Sequence, residues 1–259
     1  MDKKILSKID DEQKRLAISK IIDTINLASK HCEAKFTHFL DPSLRYFLEN
    51  KTHFDVGINV SFWGGYDGAE RQILCATPEW ENVSFELFPI KCIKAVPSAF
   101  DTLTHRDYLG ALMGLGIERE QVGDIIISDG CGYIFCKSDM ADYIVLNLDK
   151  VGRGGVRAGI VHDFETLVHQ KEEKILRLSV ASLRLDSVLS GALNVSRTMS
   201  ADLIKSCKVK VNFDECVNLS KILSSGDLIS VRGFGRLKID EIGGETKKGR
   251  KVIFVKRFL

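Results

Sequence analysis

The stretch that decides the fold lies toward the C-terminus: Ser196-Arg197-Thr198-Met199-Ser200-Ala201-Asp202-Leu203-Ile204-Lys205-Ser206-Cys207-Lys208-Val209-Lys210-Val211-Asn212. Ser196 can cap a helix by satisfying backbone N–H groups that lack partners in the first turn, and Ala201, Leu203 and Ile204 then face inward. Val209 to Asn212 follow as a strand with alternating faces. Upstream, Arg184-Leu185-Asp186 with Val188 and Leu189 starts a short helix that ends near Gly191. Downstream, Gly226-Asp227 signals a turn before a strand from Leu228 to Arg232. Gly233-Phe234-Gly235-Arg236 then turns the chain into a strand through Ile242, and a loop from Gly243 to Gly249 precedes a returning strand, Val252 to Phe258.

Charge separates this region from the rest. Residues 183–259 hold 15 Lys and Arg against 8 Asp and Glu, whereas the remaining 182 residues hold 22 basic and 27 acidic groups. A net charge of +2 therefore hides a basic C-terminal part, which points to a polyanionic partner. Arg197 falls in the first turn of its helix, where free N–H groups and the dipole favour an anion. Lys205, Lys208 and Lys210 come from that helix's end and the next strand; Arg232, Arg236 and Lys238 sit on the following hairpin. Gathered on one face, they would bind several phosphates with steep salt dependence.

At these residues the sequence resembles the alpha-L RNA-binding domain, the fold named after ribosomal protein S-four. The pattern is carried by Arg184-Leu185-Asp186, Ser196-Arg197, Leu203-Ile204, Val209 to Asn212, Gly226-Asp227 and Gly235-Arg236. Two positions depart from it: Cys207 stands where a glycine usually ends the second helix, and Phe213 follows Asn212 where glycine is common. The resemblance implies RNA contacts from Arg184, Ser196, Arg197, Lys205, Lys208, Lys210, Asn212, Arg232, Arg236 and Lys238, made to phosphates and the minor groove, because A-form RNA is read there largely by shape.

Upstream, Gly64-Gly65-Tyr66, Ala69-Glu70-Arg71, His105-Arg106-Asp107-Tyr108-Leu109-Gly110-Ala111-Leu112-Met113 and Gly123-Asp124-Ile125 resemble the bacterial YlmH family over nearly the whole chain. The resemblance implies an α+β protein of three small domains in series: an N-terminal α/β domain (1–77), a central RNA-binding α+β domain (78–165), a linker (166–182) and the alpha-L module (183–259). It implies a non-enzymatic role on the large ribosomal subunit, through ribosomal RNA and peptidyl-tRNA, in rescue of stalled subunits; older descriptions attach the family to cell division.

The local patterns agree with such a division. Leu16, Ile18, Ile21, Ile22, Ile25 and Leu27 recur near helical spacing, and Asp41-Pro42 should break the helical region before a short helix over 43–49. Val56, Ile58, Val60 and Phe62 alternate as a strand, with a turn at 64–68 and a returning strand over 71–76. Phe85 to Ile93 reads as a strand interrupted by Val96-Pro97. A helix over 107–115, strands over 124–128 and 133–137 joined at Asp129-Gly130, a helix over 139–148 and a strand over 156–161 complete the central part.

Other chemistries find less support. His105-Arg106-Asp107 has the order of a kinase catalytic loop, but Leu112 stands where that loop needs a metal-holding asparagine, and His162-Asp163-Phe164-Glu165 lacks the glycine of the partner motif. His105 and Arg106 are left as an RNA contact or a helix start. Gly152-Arg153-Gly154-Gly155 with Arg157 lacks the Lys-Ser/Thr of a phosphate loop and reads as an auxiliary RNA contact. The other histidines, 31, 38, 53, 162 and 169, show no metal-ligand spacing. The seven cysteines form no Cys-x-x-Cys pair, so no metal or cofactor is expected and a reducing cytoplasm fits. The charged opening residues contain no signal-peptide core, and no run of about 18 apolar residues marks a membrane span. Two rival readings remain: an RNA-modifying enzyme with an unrecognised site in residues 1–165, or a cell-division factor that binds protein.

Overall fold

The computed structural model describes residues 6–7, 9, 11–52, 54, 57–81, 83–98, 103–162, 173–246 and 249–258. Val56, His53, His169 and the Asp-Phe-Glu stretch at 163–165 lie outside the described residues. The chain forms two compact units, Met1–His169 and Gln170–Leu259.

In the first unit, α1 (Glu12–His31) buries Ile18, Ile21, Ile22, Ile25 and Ala28. Leu16 and Leu27, expected on that face, are 60% and 47% exposed, because they fall outside the stripe that a 3.6-residue period can bury. A strand missed in the sequence, β1 (Lys35–Leu40), follows directly. Asp41 does more than end a helical region. Its carboxylate accepts from the N–H groups of Ser43 (2.7 Å) and Leu44 (3.0 Å), capping α2 (Pro42–Lys51), whose first residue is the proline. β2 (Ile58–Trp63) and β3 (Gln72–Pro78) complete an antiparallel sheet in the order β1-β3-β2.

The second sheet of this unit has the order β5-β6-β4-β8-β7. β4 (Ile90–Pro97) runs through Val96-Pro97, where an interruption was expected, and Phe85–Leu87 is a single tight helical turn, not strand. α3 (His105–Gly114) starts in a capping box of Thr104 and Asp107. β5 (Val122–Ser128) and β6 (Cys131–Lys137) are joined by Asp129 and Gly130, both at positive φ, as a two-residue hairpin turn requires. α4 (Ser138–Asn147) precedes β7 (Lys150–Val151) and β8 (Gly154–Val161), so the glycine-rich stretch is the tip of a hairpin. α3 and α4 cover one face, burying Tyr108, Leu112, Ala141 and Ile144 against Ile93, Ile125, Ile134 and Val156.

One carboxylate fastens the first sheet's β2–β3 loop to the second sheet. Asp124, on edge strand β5, accepts from Tyr66 Oη (2.8 Å), Glu70 N (2.7 Å) and Arg71 N (3.1 Å). Arg71 then donates to the carbonyls of Val122 (3.0 Å), Phe39 (3.1 Å) and Arg119 (3.2 Å), and Arg119 donates to those of Val122 (2.6 Å) and Gly123 (3.1 Å). Burial, then the charge of Asp124, drives the Tyr66 phenol well above its usual range. Burial, then the neighbouring charge of Arg71, pushes Arg119 down to about 10. Packing at this seam is tight: a Cβ on Gly65 would lie 2.5 Å from the Phe135 ring, at a φ of +101° that side chains rarely adopt.

The second unit is a six-stranded antiparallel sheet in the order β11-β10-β12-β13-β14-β9, with two helices on one face. Its members are β9 (Glu173–Val180), α5 (Leu185–Leu193), α6 (Arg197–Lys205), β10 (Val209–Val211), β11 (Asp214–Glu215), β12 (Leu228–Val231), β13 (Gly235–Glu245) and β14 (Lys251–Phe258). β13 extends beyond the expected end at Ile242. Residues 166–172 of the expected linker lie outside the described residues. The rest of it is largely strand: β9 pairs with β14 from Glu173–Phe258 to Val180–Lys251. The physical reason is the period-two alternation of Leu176, Leu178 and Val180, which pack on the core.

Asp124→Ala leaves three donors at the seam without an acceptor. It should destabilise the first unit by roughly 3–5 kcal/mol, read as a lower urea midpoint of tryptophan fluorescence, since Trp63 and Trp80 both lie in that unit.

Candidate nucleic-acid interface

The C-terminal unit sorts its basic residues by the two sides of its sheet. Val209, Val211, Ile229, Val231, Leu237, Ile239, Ile253 and Val255 are buried under α5 and α6. Alternation therefore turns Lys210, Ser230, Arg236 and Lys238 to the opposite side. The cross-strand register aligns Lys210 with Ser230 and Ser230 with Arg236, with Lys238 opposite Leu228. Lys208, just before β10, accepts at its carbonyl from Arg232 N at 2.9 Å, which sets those two basic residues side by side. Lys208, Lys210, Arg232, Arg236 and Lys238 thus form one outward group. Glu215 on β11 stands opposite Lys210 within it.

Four of the remaining predicted residues belong to the helices. Arg184 is the N-cap residue of α5, and its guanidinium holds Asp186 through Nε (3.0 Å) and Nη2 (3.2 Å). Burial opposes the charged form of Asp186; the hydrogen bond and charge of Arg184, the N–H of Ser187 and the charge of Arg197 outweigh it and hold the carboxyl below its usual range. Ser196 caps α6 by accepting from Met199 N at 3.1 Å, as expected from sequence. Arg197, in the first turn, donates to Ser187 Oγ at 3.3 Å and remains exposed. Lys205 is exposed in the last turn of the same helix. Nine of the ten residues consequently form two groups, one at the helix ends and one on the outward side of the sheet.

Asn212 is engaged within the fold. Its amide donates to Asp227 Oδ1 (2.7 Å) and accepts from Leu228 N (2.9 Å), tying the β10–β11 turn to the start of β12. Asn212 and Phe213 form that turn at φ of 51° and 71°. Cys207 lies at φ 55° after α6, with Cys207 N donating to Ile204 O (3.2 Å) and Lys208 N to Leu203 O (3.1 Å). This is the paired helix-ending arrangement that favours glycine.

In the first unit, His105 and Arg106 open α3 and are exposed. Crowding by surrounding atoms, then the charge of Arg119, holds His105 below the ordinary histidine range, so at neutral pH it offers hydrogen bonds and no full charge. Arg153 is exposed in the β7–β8 turn; Arg157 is exposed on β8, opposite Val96. On the same side of that sheet, Lys94 lies 5.4 Å from the ring centroid of Tyr133. Among the described residues, no group of three or more His, Cys, Asp or Glu side chains is placed to hold a metal ion, and no helix is long and apolar enough to cross a membrane.

Residues 78–172 match the family described as "Putative RNA-binding domain in YlmH". A relative from Bacillus subtilis (strain 168), "Ribosome-associated protein quality control protein P2", is 33% identical over 243 residues, covering 92% of this chain and 93% of its own. The chain belongs to the YlmH family. A solved structure, "Cell division protein ylmH from Streptococcus pneumoniae", is 23% identical, covers 60% of this chain and 94% of its own, and superposes with a TM-score of 0.48. Much of the sequence signature of the family in this chain proves to be the seam: Tyr66, Glu70, Arg71 and Asp124 meet there. Gly65 packs on Phe135, and Tyr108 packs under Gly132, where a Cβ would lie 2.4 Å from the ring.

Sequence reading missed part of the outward surface. Phe254, Lys256 and Phe258 on β14 and Arg177 on β9 extend it, and the alternation with buried Ile253 and Val255 was the available signal.

Cys207→Gly and Phe213→Gly should each stabilise the C-terminal unit by about 1 kcal/mol, the relief of a side chain at positive φ less glycine's greater freedom when unfolded. Asn212→Ala should instead cost about 2 kcal/mol through two lost hydrogen bonds. Denaturant midpoints at unchanged slope measure all three.

Proposed function

We propose that this protein is a non-enzymatic RNA-binding factor of the ribosome, acting in the cytoplasm on large-subunit ribosomal RNA and peptidyl-tRNA during quality control or rescue of stalled subunits. The observation that carries the reading is the outward group Lys208, Lys210, Arg232, Arg236 and Lys238, held by strand register on the side of the sheet away from the helices. Such spacing suits a phosphate backbone, and arginine's fork suits it better than a lysine point charge. Arg197, at the positive end of α6, adds a second anchor.

The match of residues 78–172 to an RNA-binding family supports an RNA partner, and the name of the Bacillus subtilis relative supports the ribosome. On this reading the C-terminal unit is an alpha-L module, with β9 added to its sheet. Ser196, Asn212 and Arg184 serve it by shaping the helix starts and the β10–β11 turn. Arg153 and Arg157 are auxiliary contacts of the central part. His105 and Arg106, exposed at the start of α3, are further auxiliary RNA contacts of the central part.

Arg197→Glu combined with Arg236→Glu should abolish cosedimentation with large ribosomal subunits in moderate salt while leaving the circular dichroism spectrum unchanged. Single Arg236→Gln should weaken binding evenly across RNA sequences and lower the salt slope by about one. Undiminished cosedimentation of the double variant overturns the reading.

A further inference from the structure

The outward side of the C-terminal sheet continues past β13 onto β14 and β9, and its composition changes there. Cross-strand register sets Arg236 opposite Phe258, Lys238 opposite Lys256, and Lys256 opposite Ile175. Phe254 stands between Glu241 on one side and Arg177 on the other. The helices of this unit pack on the other face. Phe254 and Phe258 therefore sit half-buried on a pleated surface next to guanidinium and ammonium groups, and Ile175 is 61% exposed at the edge.

Two features of this surface fit an anion. Like charges directly opposite on one face of a sheet repel, yet Lys238 and Lys256 occupy such a pair. Asp240, at 3.5 Å from Lys256, offsets part of that repulsion. Glu241 stands opposite Phe254, away from the Arg236–Phe258 row, so the cations of the track are Arg236, Lys238 and Lys256, the last shared with Asp240.

We propose that this track binds a single-stranded stretch of the RNA held by the module, with a base stacked on Phe258 and phosphates on Arg236, Lys238 and Lys256. The proposal rests on the RNA-binding reading above. Lys256 and Phe258 lie two residues apart on one strand, about 7 Å, so one nucleotide can place its phosphate on the first and its base on the second. Stacking on an aromatic ring tolerates any base. A duplex keeps its bases paired and offers the ring nothing to stack on; a peptide would show no comparable salt slope.

The test uses the full chain and two probes, a fluorescent 12-nucleotide oligouridine and a blunt-ended RNA hairpin. Phe258→Ala should weaken oligouridine binding at least tenfold and leave hairpin binding within twofold, while Phe258→Trp restores the oligouridine. Lys238→Gln with Lys256→Gln, both at the surface, should weaken the same probe and flatten its salt dependence. Oligouridine that the parent does not bind, or variants that bind it as the parent does, would overturn the platform. Cosedimentation of the parent protein with large subunits, run in parallel, tells that failure from a failure of the RNA reading itself.

Discussion

Six strands must bury one set of alternate side chains beneath two short helices, and the chemistry of the C-terminal unit follows from that requirement. Once Val209, Val211, Ile229, Val231, Leu237 and Ile239 are committed to the core, the residues between them have nowhere to go but outward. A slip of one residue in any strand would put lysines into the core and valines into water. Register thus specifies the basic surface as firmly as it specifies the hydrophobic one. The hydrogen bonds of Asn212 to Asp227 and Leu228 help hold that register, since they fix where β10 ends and β12 begins.

The first unit adds a polar seam to its apolar packing, where the second relies on alternation. Its two sheets each have an apolar core of their own, and at their junction a charged network of Asp124, Arg71 and Arg119 accompanies smaller apolar clusters around Tyr66 and Phe135 and around Phe39 and Phe88. Arg71 brings its guanidinium to three backbone carbonyls. An arginine used this way needs its full fork, and lysine could not reach all three. Residues that stand out in sequence for their chemistry, Tyr66 and Arg71 among them, are here structural, whereas the exposed basic groups nearby stand out very little.

The C-terminal elements were legible because local and long-range preferences agree. Ser196 caps where a cap is needed, Leu203 and Ile204 face inward, and Gly226 and Gly235 occupy positive-φ turns. Strand β9 reads as linker in the sequence because it opens on charged Glu173-Lys174 and its partner β14 lies 71 to 85 residues later (Lys251↔Val180 to Phe258↔Glu173); only pairing reveals it. β1 was hidden for a related reason, being short and wedged between two helices. The sequence places the basic residues on helix and hairpin, but not that the helix-end and sheet groups stay apart and do not gather on one face, since that depends on which face of the sheet the helices cover.

The exposed position of Cys207 has a use beyond its backbone conformation. Burial drives the thiols of Cys92 and Cys136 up to about 12 and that of Cys75 up to about 11, where almost none is thiolate at neutral pH and nucleophilic reactivity is suppressed. Cys32, at the end of α1, and Cys207, one residue before Lys208, are the exposed thiols. Replacing Cys32 and the half-buried Cys131 would therefore direct an alkylating spin label or dye to the doorstep of the basic surface, giving the chain a native address for distance measurements.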